Sequence, residues 1–275
     1  MNLQVEGCDI YYKEIGKGTP VIMLHGWTVD HRILEGCLES AFADCDNDFR
    51  RIYADFPGMG QSKANPLIKN SDDYLRVMKA FIDEVTDGKD YAVIGKSFGG
   101  YIARGLAKLD RQRILGMVLI CPVADSENDQ NNMPARCVME KESGLEKIIP
   151  PEDFEGFDLF HTVQTQSTWE NYRDYILPGV KCADYAFLES ISKNDNVFFK
   201  EVDKVESVYE FPALMIAGKQ DWCVGYSGLW EIQKNYVRST YLALDKAGHN
   251  LEHEYPELFR IHIGKWLNDV RKFRG

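Results

Sequence analysis

Five short apolar runs, each bounded by glycine, proline or a turn, constrain this chain more than any other feature. They are PVIMLHG (Pro20 to Gly26), RIYADF (Arg51 to Phe56), YAVIG (Tyr91 to Gly95), GMVLIC (Gly116 to Cys121) and PALMIAG (Pro212 to Gly218). A strand with one wet face alternates apolar and polar residues. A run that barely alternates belongs to a strand covered on both faces, as in a parallel sheet. Helical patterns lie between the runs. Ser71 is placed to cap a helix through about Val85, with Leu75, Val77, Met78, Phe81, Ile82 and Val85 on its apolar side. Phe98 to Leu109 and Gly228 to Tyr236 read as further helices. A last one begins near Pro256, a residue suited to a first helical turn, and carries Leu258, Phe259, Ile261, Ile263, Trp266, Leu267 and Val270. Leu3 to Val5 and Asp9 to Glu14 read as strands around a Glu6-Gly7 turn. Strand alternating with helix predicts an α/β fold with a mostly parallel sheet.

The alternation breaks once. From about Val123 to Glu206 no strong buried-strand signal occurs, yet large side chains abound: Phe154, Phe157, Phe160, Trp169, Tyr172, Tyr175, Tyr185 and Phe187. A structureless loop of that length does not suit a compact domain. The segment reads as a mainly helical insertion. No internal repeat and no low-complexity tract is evident.

Composition narrows the partners. The 275 residues are 44% hydrophobic and 27% charged, a soluble globular balance able to bury a sizeable core. A net charge of −11 argues against nucleic acid and anionic membrane, which favour basic patches. No apolar run approaches the roughly 18 residues of a membrane span. The N-terminus lacks the basic and apolar regions of a signal peptide. Seven scattered cysteines, Cys8, Cys37, Cys45, Cys121, Cys137, Cys182 and Cys223, form no CxxC pair and read as reduced thiols, which suits a cytoplasmic protein.

Gly95-Lys96-Ser97-Phe98-Gly99 matches G-x-S-x-G between an apolar strand and a helix. A sharp turn there lifts the serine hydroxyl to the carboxyl edge of the sheet, where small residues let the backbones pass. At the helix N-terminus, exposed N–H groups favour a developing oxyanion. A serine hydroxyl needs a base within reach, and the base needs an orienting acid. In this chemistry the chain order is Ser, then Asp or Glu, then His. Asp221 follows PALMIAG, and His249 follows TYLALD. Ser97, Asp221 and His249 are therefore the candidate catalytic residues. Asp125 is the rival acid. The backbone N–H of Phe98 and that of Trp27, in LHGWTVD, are the candidate oxyanion donors. His25 reads as bracing that loop. The glycines and proline of DFPGMGQS (Asp55 to Ser62) mark a tight turn, either pocket rim or plain connector. His249 to His253 also spells H-x-x-E-H, a zinc-peptidase pattern that needs both histidines on one continuous helix and a third ligand. Ala247-Gly248 before it and Pro256 after it speak for chance, with His253 at the surface. No metal and no organic cofactor are called for.

LHGW, DFPGMGQS, GKSFGG, the Asp221 loop and AGH together resemble the α/β-hydrolase fold family in order and spacing. That resemblance implies an eight-stranded, mostly parallel sheet flanked by helices, with a helical cap inserted after strand 6. The implied domains are a core of residues 1–122 and 207–275 and a cap of residues 123–206. A serine nucleophile sets the chain apart from the epoxide hydrolases and dehalogenases of the family, which carry aspartate. Before the serine the family often has His, Asn or Asp, and here Lys96 stands. Its side chain is expected either to pair with an acid away from the pocket or to bias the field at the nucleophile. The implied activity is acyl transfer from small carboxylic esters to water. Carbon–carbon bond hydrolysis, removal of N-terminal proline, for which Glu152, Asp153 and Glu155 could hold the free amine, and small-molecule sensing without turnover remain open.

Overall fold

The computed structural model describes residues 1–43, 48–124, 133–194, 202, 204 and 208–273. One eight-stranded sheet forms its centre. In chain order its strands are β1 (Asn2–Val5), β2 (Cys8–Gly16), β3 (Thr19–Leu24), β4 (Phe49–Ala54), β5 (Tyr91–Lys96) and β6 (Ile114–Ile120), then β9 (Ala213–Gly218) and β10 (Ser239–Leu244). The spatial order is β1-β2-β4-β3-β5-β6-β9-β10. β2 runs antiparallel to both its neighbours, and every other pair is parallel. The Glu6-Gly7 turn carries the first reversal, both residues at positive φ.

The lack of alternation in the runs has the expected cause. On β3, Ile22 and Leu24 enter one core while Val21 and Met23 enter the other, and all four are buried. Helices α1 (Arg32–Phe42), α2 (Ser71–Thr86) and α3 (Phe98–Asp110) follow β3, β4 and β5, and α10 (Pro256–Arg271) closes the chain. α2 and α3 pack with one face, α1 and α10 with the other. The cap of α2 is Asn70 rather than Ser71: the Asn70 side chain accepts the Asp73 N–H, and Ser71 is already helical. The Gly228 to Tyr236 pattern holds as α8 (Ser227–Ile232), then tightens into a 3₁₀ turn over Gln233–Asn235.

Between β6 and β9 the described residues form α4 (Pro151–Phe160), α5 (Gln166–Asn171), a π turn (Tyr172–Ile176), α6 (Leu177–Cys182) and α7 (Tyr185–Asn194). A 3₁₀ turn covers Leu145–Lys147, and two short strands, β7 (Glu140–Lys141) and β8 (Val163–Gln164), pair in parallel. Each of these strands is two residues long, too short to show as an apolar run. Phe157 is fully buried at 5.6 Å from Trp169 and 5.7 Å from Tyr172, ring centre to ring centre. These three rings continue the core shared by α1 and α10. Phe157, Trp169 and Tyr172 therefore hold the segment to the body of the molecule.

Candidate active site

Ser97 sits at the corner between β5 and α3, at φ 51° and ψ −116°. A non-glycine residue there costs about 1–3 kcal/mol and persists only where its surroundings impose it. They do. A Cβ on Gly99 would collide with the Leu24 carbonyl, and one on Gly95 with the Gly99 carbonyl. Helix and sheet touch backbone to backbone, and the Ser97 N–H donates to Ile120 O at 2.9 Å. The corner thus presents the hydroxyl at the carboxyl edge of the sheet. Phe98 opens α3, so its N–H has no acceptor within the helix.

The loop after β9 carries Asp221, and the loop after β10 carries His249. His249 Nδ1 lies 2.8 Å from Asp221 Oδ2. The other carboxylate oxygen accepts the N–H groups of Cys223 (2.9 Å) and Val224 (3.2 Å). Asp221 is fully buried. Burial alone would raise its pKa, but the facing His249 and the backbone donor at Val224 reverse that and hold it below the usual carboxylate range. Ser97, His249 and the Trp27 loop line one cavity of about 350 Å³, with Val29, Ile33, Phe160, Tyr172, Ile176, Val180 and Tyr185 as its apolar wall. Among the described residues the Ser97 hydroxyl and the His249 ring share this wall without a direct hydrogen bond; such bonds often close only around substrate. Asp125 lies outside the described residues.

Residues 19–254 match the sequence profile of the α/β hydrolase fold. The chain belongs to that family. Its mostly parallel eight-stranded sheet flanked by helices is that of an α/β-fold hydrolase. It is 21% identical over 267 residues to the pimeloyl-[acyl-carrier protein] methyl ester esterase of Shewanella woodyi, covering 94% of this chain and 98% of that one. It shares 29% identity over 115 residues, 42% of its length and 39% of the other's, with the 2-hydroxy-6-oxo-6-(2'-aminophenyl)hexa-2,4-dienoic acid hydrolase of Metapseudomonas resinovorans. Among solved structures, an α/β superfamily hydrolase from Oenococcus oeni PSU-1 superposes with a TM-score of 0.86 at 26% identity, covering 95% of this chain and 96% of that one.

The remaining candidates of this hydrolase take structural places. His25 is buried, its Nδ1 2.7 Å from Gly26 O and its Nε2 3.1 Å from Phe56 N. Nε2 accepts from an N–H, so Nδ1 donates and the ring is neutral, and burial lowers its pKa further. It braces the Trp27 loop. DFPGMGQS stays out of the cavity wall. Asp55 gathers His31 N and Nδ1 and Gln61 N, and Gly58 O accepts Asp184 N at 2.9 Å, so the loop supports the start of α7. His253 is not at the surface: it is buried, with Nε2 2.9 Å from Ile33 O. Its neighbourhood forms only in the fold, because Ile33 stands on α1. Its ring faces Ile33 and that of His249 faces Asp221, so the H-x-x-E-H match brings no shared site.

Among the described residues two groups of side chains bring ligand-type atoms within 4.8 Å of one another: Cys121, Asp221 and His249, and Asp30, His31 and Asp55. Hydrogen bonds already close both, the second through the Arg32 fork on Asp30. Six cysteines are free thiols, and Cys45 lies outside the described residues. No helix among the described residues is long and apolar enough to cross a membrane.

Two functional-site neighbours escaped sequence reasoning. Glu254 is buried, and its carboxylate accepts N–H groups from Gly248 (2.7 Å), Thr162 (2.6 Å) and Val163 (3.2 Å), tying the His249 loop to β8. Burial pushes its pKa up to about 7, against the pull of those three donors. Trp222 Nε1 donates to Leu159 O at 2.9 Å, fixing the Asp221 loop to α4. Neither carries a signal in the sequence beyond its position beside a candidate residue.

Proposed function

We propose that the chain hydrolyses small, neutral carboxylic esters through an acyl-enzyme on Ser97. The observation that carries this reading is the 2.8 Å contact between buried Asp221 and His249, which lines the same cavity as Ser97. Ser97 attacks the ester carbonyl while His249 Nε2 takes its proton. Asp221 holds the imidazole by Nδ1 and stabilises its charged form. The N–H groups of Phe98 and Trp27 receive the oxyanion, where each such donor is worth about 10²–10³ in rate. His249 returns the proton to the leaving alcohol, and water repeats the sequence to free the acid.

The β6–β9 segment acts as a cap in this reading. Phe160, Tyr172 and Tyr185 line the cavity, whereas Phe157 and Trp169 hold the segment down. The wall supports neutral, apolar groups at the carbonyl. Among its described residues the single cation is Lys96, already engaged by Glu252 and the His249 carbonyl, so a dienone acid finds no free counter-charge. None of its described residues is a carboxylate. Glu152 and Glu155 are exposed, and Asp153 pairs with Lys181 at 2.8 Å, so the acids suited to an N-terminal amine stand elsewhere. The substrate-sized cavity beside a formed Asp–His pair speaks for turnover over sensing. Hydrolysis of short p-nitrophenyl esters by the intact protein, beside Ser97→Ala and His249→Ala, tests the reading. Turnover lost to background in both variants is expected; turnover that survives Ser97→Ala overturns it.

A further inference from the structure

We propose that Lys96 and Glu252 form a positioning device that sets the His249 loop against the strand bearing Ser97. The inference rests on the serine-hydrolase reading for its catalytic meaning, and on geometry for the rest. Lys96 is the last residue of β5, directly before Ser97, and Glu252 stands in α9 (Leu251–Glu254), directly after the His249 loop. Nζ of Lys96 lies 2.7 Å from Glu252 Oε1 and donates to the backbone carbonyl of His249 at 2.6 Å. One ammonium therefore grips the residue carrying the base and the first turn that follows it, from the strand that carries the nucleophile.

The setting rules out a surface ornament. Both side chains are buried, Lys96 at 1% and Glu252 at 0% exposure. Among the described residues Glu252 has no other ion-pair partner, and neither of its oxygens accepts a well-directed hydrogen bond. Burial works against the Lys96 charge, yet the Glu252 carboxylate facing it, with Asp221 beyond, keeps its pKa above the ordinary value. A buried ion pair is a poor source of stability, because desolvating both charges offsets their attraction, and an apolar pair of similar size often serves as well or better. What an apolar pair cannot do is donate to the His249 carbonyl. The arrangement thus fixes the distance between the His249 loop and the end of β5.

The test is the double variant Lys96→Met/Glu252→Leu, which removes both charges together, leaves no buried charge unpaired and frees the His249 carbonyl of its donor. Three readouts are compared with the intact protein: melting temperature, kcat and KM on a p-nitrophenyl ester, and the low-field proton resonance of the hydrogen bond between His249 Nδ1 and Asp221. The expected result is a melting temperature within a few degrees of the intact value, the relieved desolvation of the pair offsetting the donor lost at the His249 carbonyl, an unchanged KM, a kcat lower by about tenfold to a hundredfold, and a shifted or broadened resonance. An unchanged kcat with an unchanged resonance overturns the proposal. So does a much lower melting temperature, which assigns the pair to folding alone. If the intact protein turns over no ester, the serine-hydrolase reading fails, and the resonance alone decides the positioning role.

Discussion

Replacing Asp221 by Asn removes one charge and changes almost no volume, so its effect isolates what the carboxylate does. Oδ1 of Asp221 accepts the N–H groups of Cys223 and Val224, and Oδ2 faces His249 Nδ1 at 2.8 Å. An amide has one oxygen. Two backbone donors claim it, leaving the NH₂ toward His249. Nδ1 must then accept, and the ring proton moves to Nε2, the atom that has to be bare to deprotonate Ser97. The expected loss in kcat is about 10⁴-fold, the scale known for this substitution in serine proteases, or about 5.5 kcal/mol in barrier. KM should stay within a few-fold, since Asp221 lies behind His249. Stability gives a second reading. The folded pKa of Asp221 is depressed, so its contribution is present above the unfolded value near 3.9 and is lost as pH falls through the lower folded value. Intact protein and Asp221→Asn should therefore converge in stability on acidification. Burst and steady-state kinetics on a p-nitrophenyl ester provide the assay. An Asp221→Asn enzyme within tenfold of intact kcat refutes the tautomer argument and turns attention to Asp125.

Gly99→Ala places a methyl group against the Leu24 carbonyl and should yield little folded protein, seen as lost cooperative unfolding by circular dichroism. Phe157→Ala empties a fully buried site and should cost about 3–5 kcal/mol in urea titration. Phe160→Ala, at the cavity wall, should leave stability nearly unchanged and shift the preferred acyl length upward. Glu254 titrates at about 7 in the folded protein against an ordinary 4.5. An acid with a raised folded pKa contributes stability that is present below its unfolded pKa and lost as pH rises through the folded one. Melting temperature should therefore fall between pH 5 and 8, by the equivalent of about 3 kcal/mol, and Glu254→Gln should flatten that slope.

Sheet and serine corner were legible because their causes are local. A strand buried on both faces must be apolar throughout, as Ile22 and Met23 show by entering opposite cores. G-x-S-x-G was legible because backbone contact at Gly95 and Gly99 tolerates no Cβ. The cap of α2 falls one residue earlier than the sequence predicts, since Asn70 and Ser71 are both capping types and only the geometry selects between them. The burial of His253 is not legible locally because its partner, Ile33, is 220 positions away. The β6–β9 aromatics divided between core and cavity in a way periodicity does not encode. Lys96 could be expected to meet an acid, but which one depended on α9 folding beneath His249. Glu254 gave no such hint, its three partners being backbone N–H groups.

The central claim is that Ser97 is the nucleophile, and covalent labelling tests it most directly. Intact protein is treated with a fluorophosphonate and its mass and labelled peptide are determined. The account predicts one adduct per chain, on Ser97, suppressed in His249→Ala and competed by a neutral ester. Labelling elsewhere, or none while ester turnover persists, would contradict it.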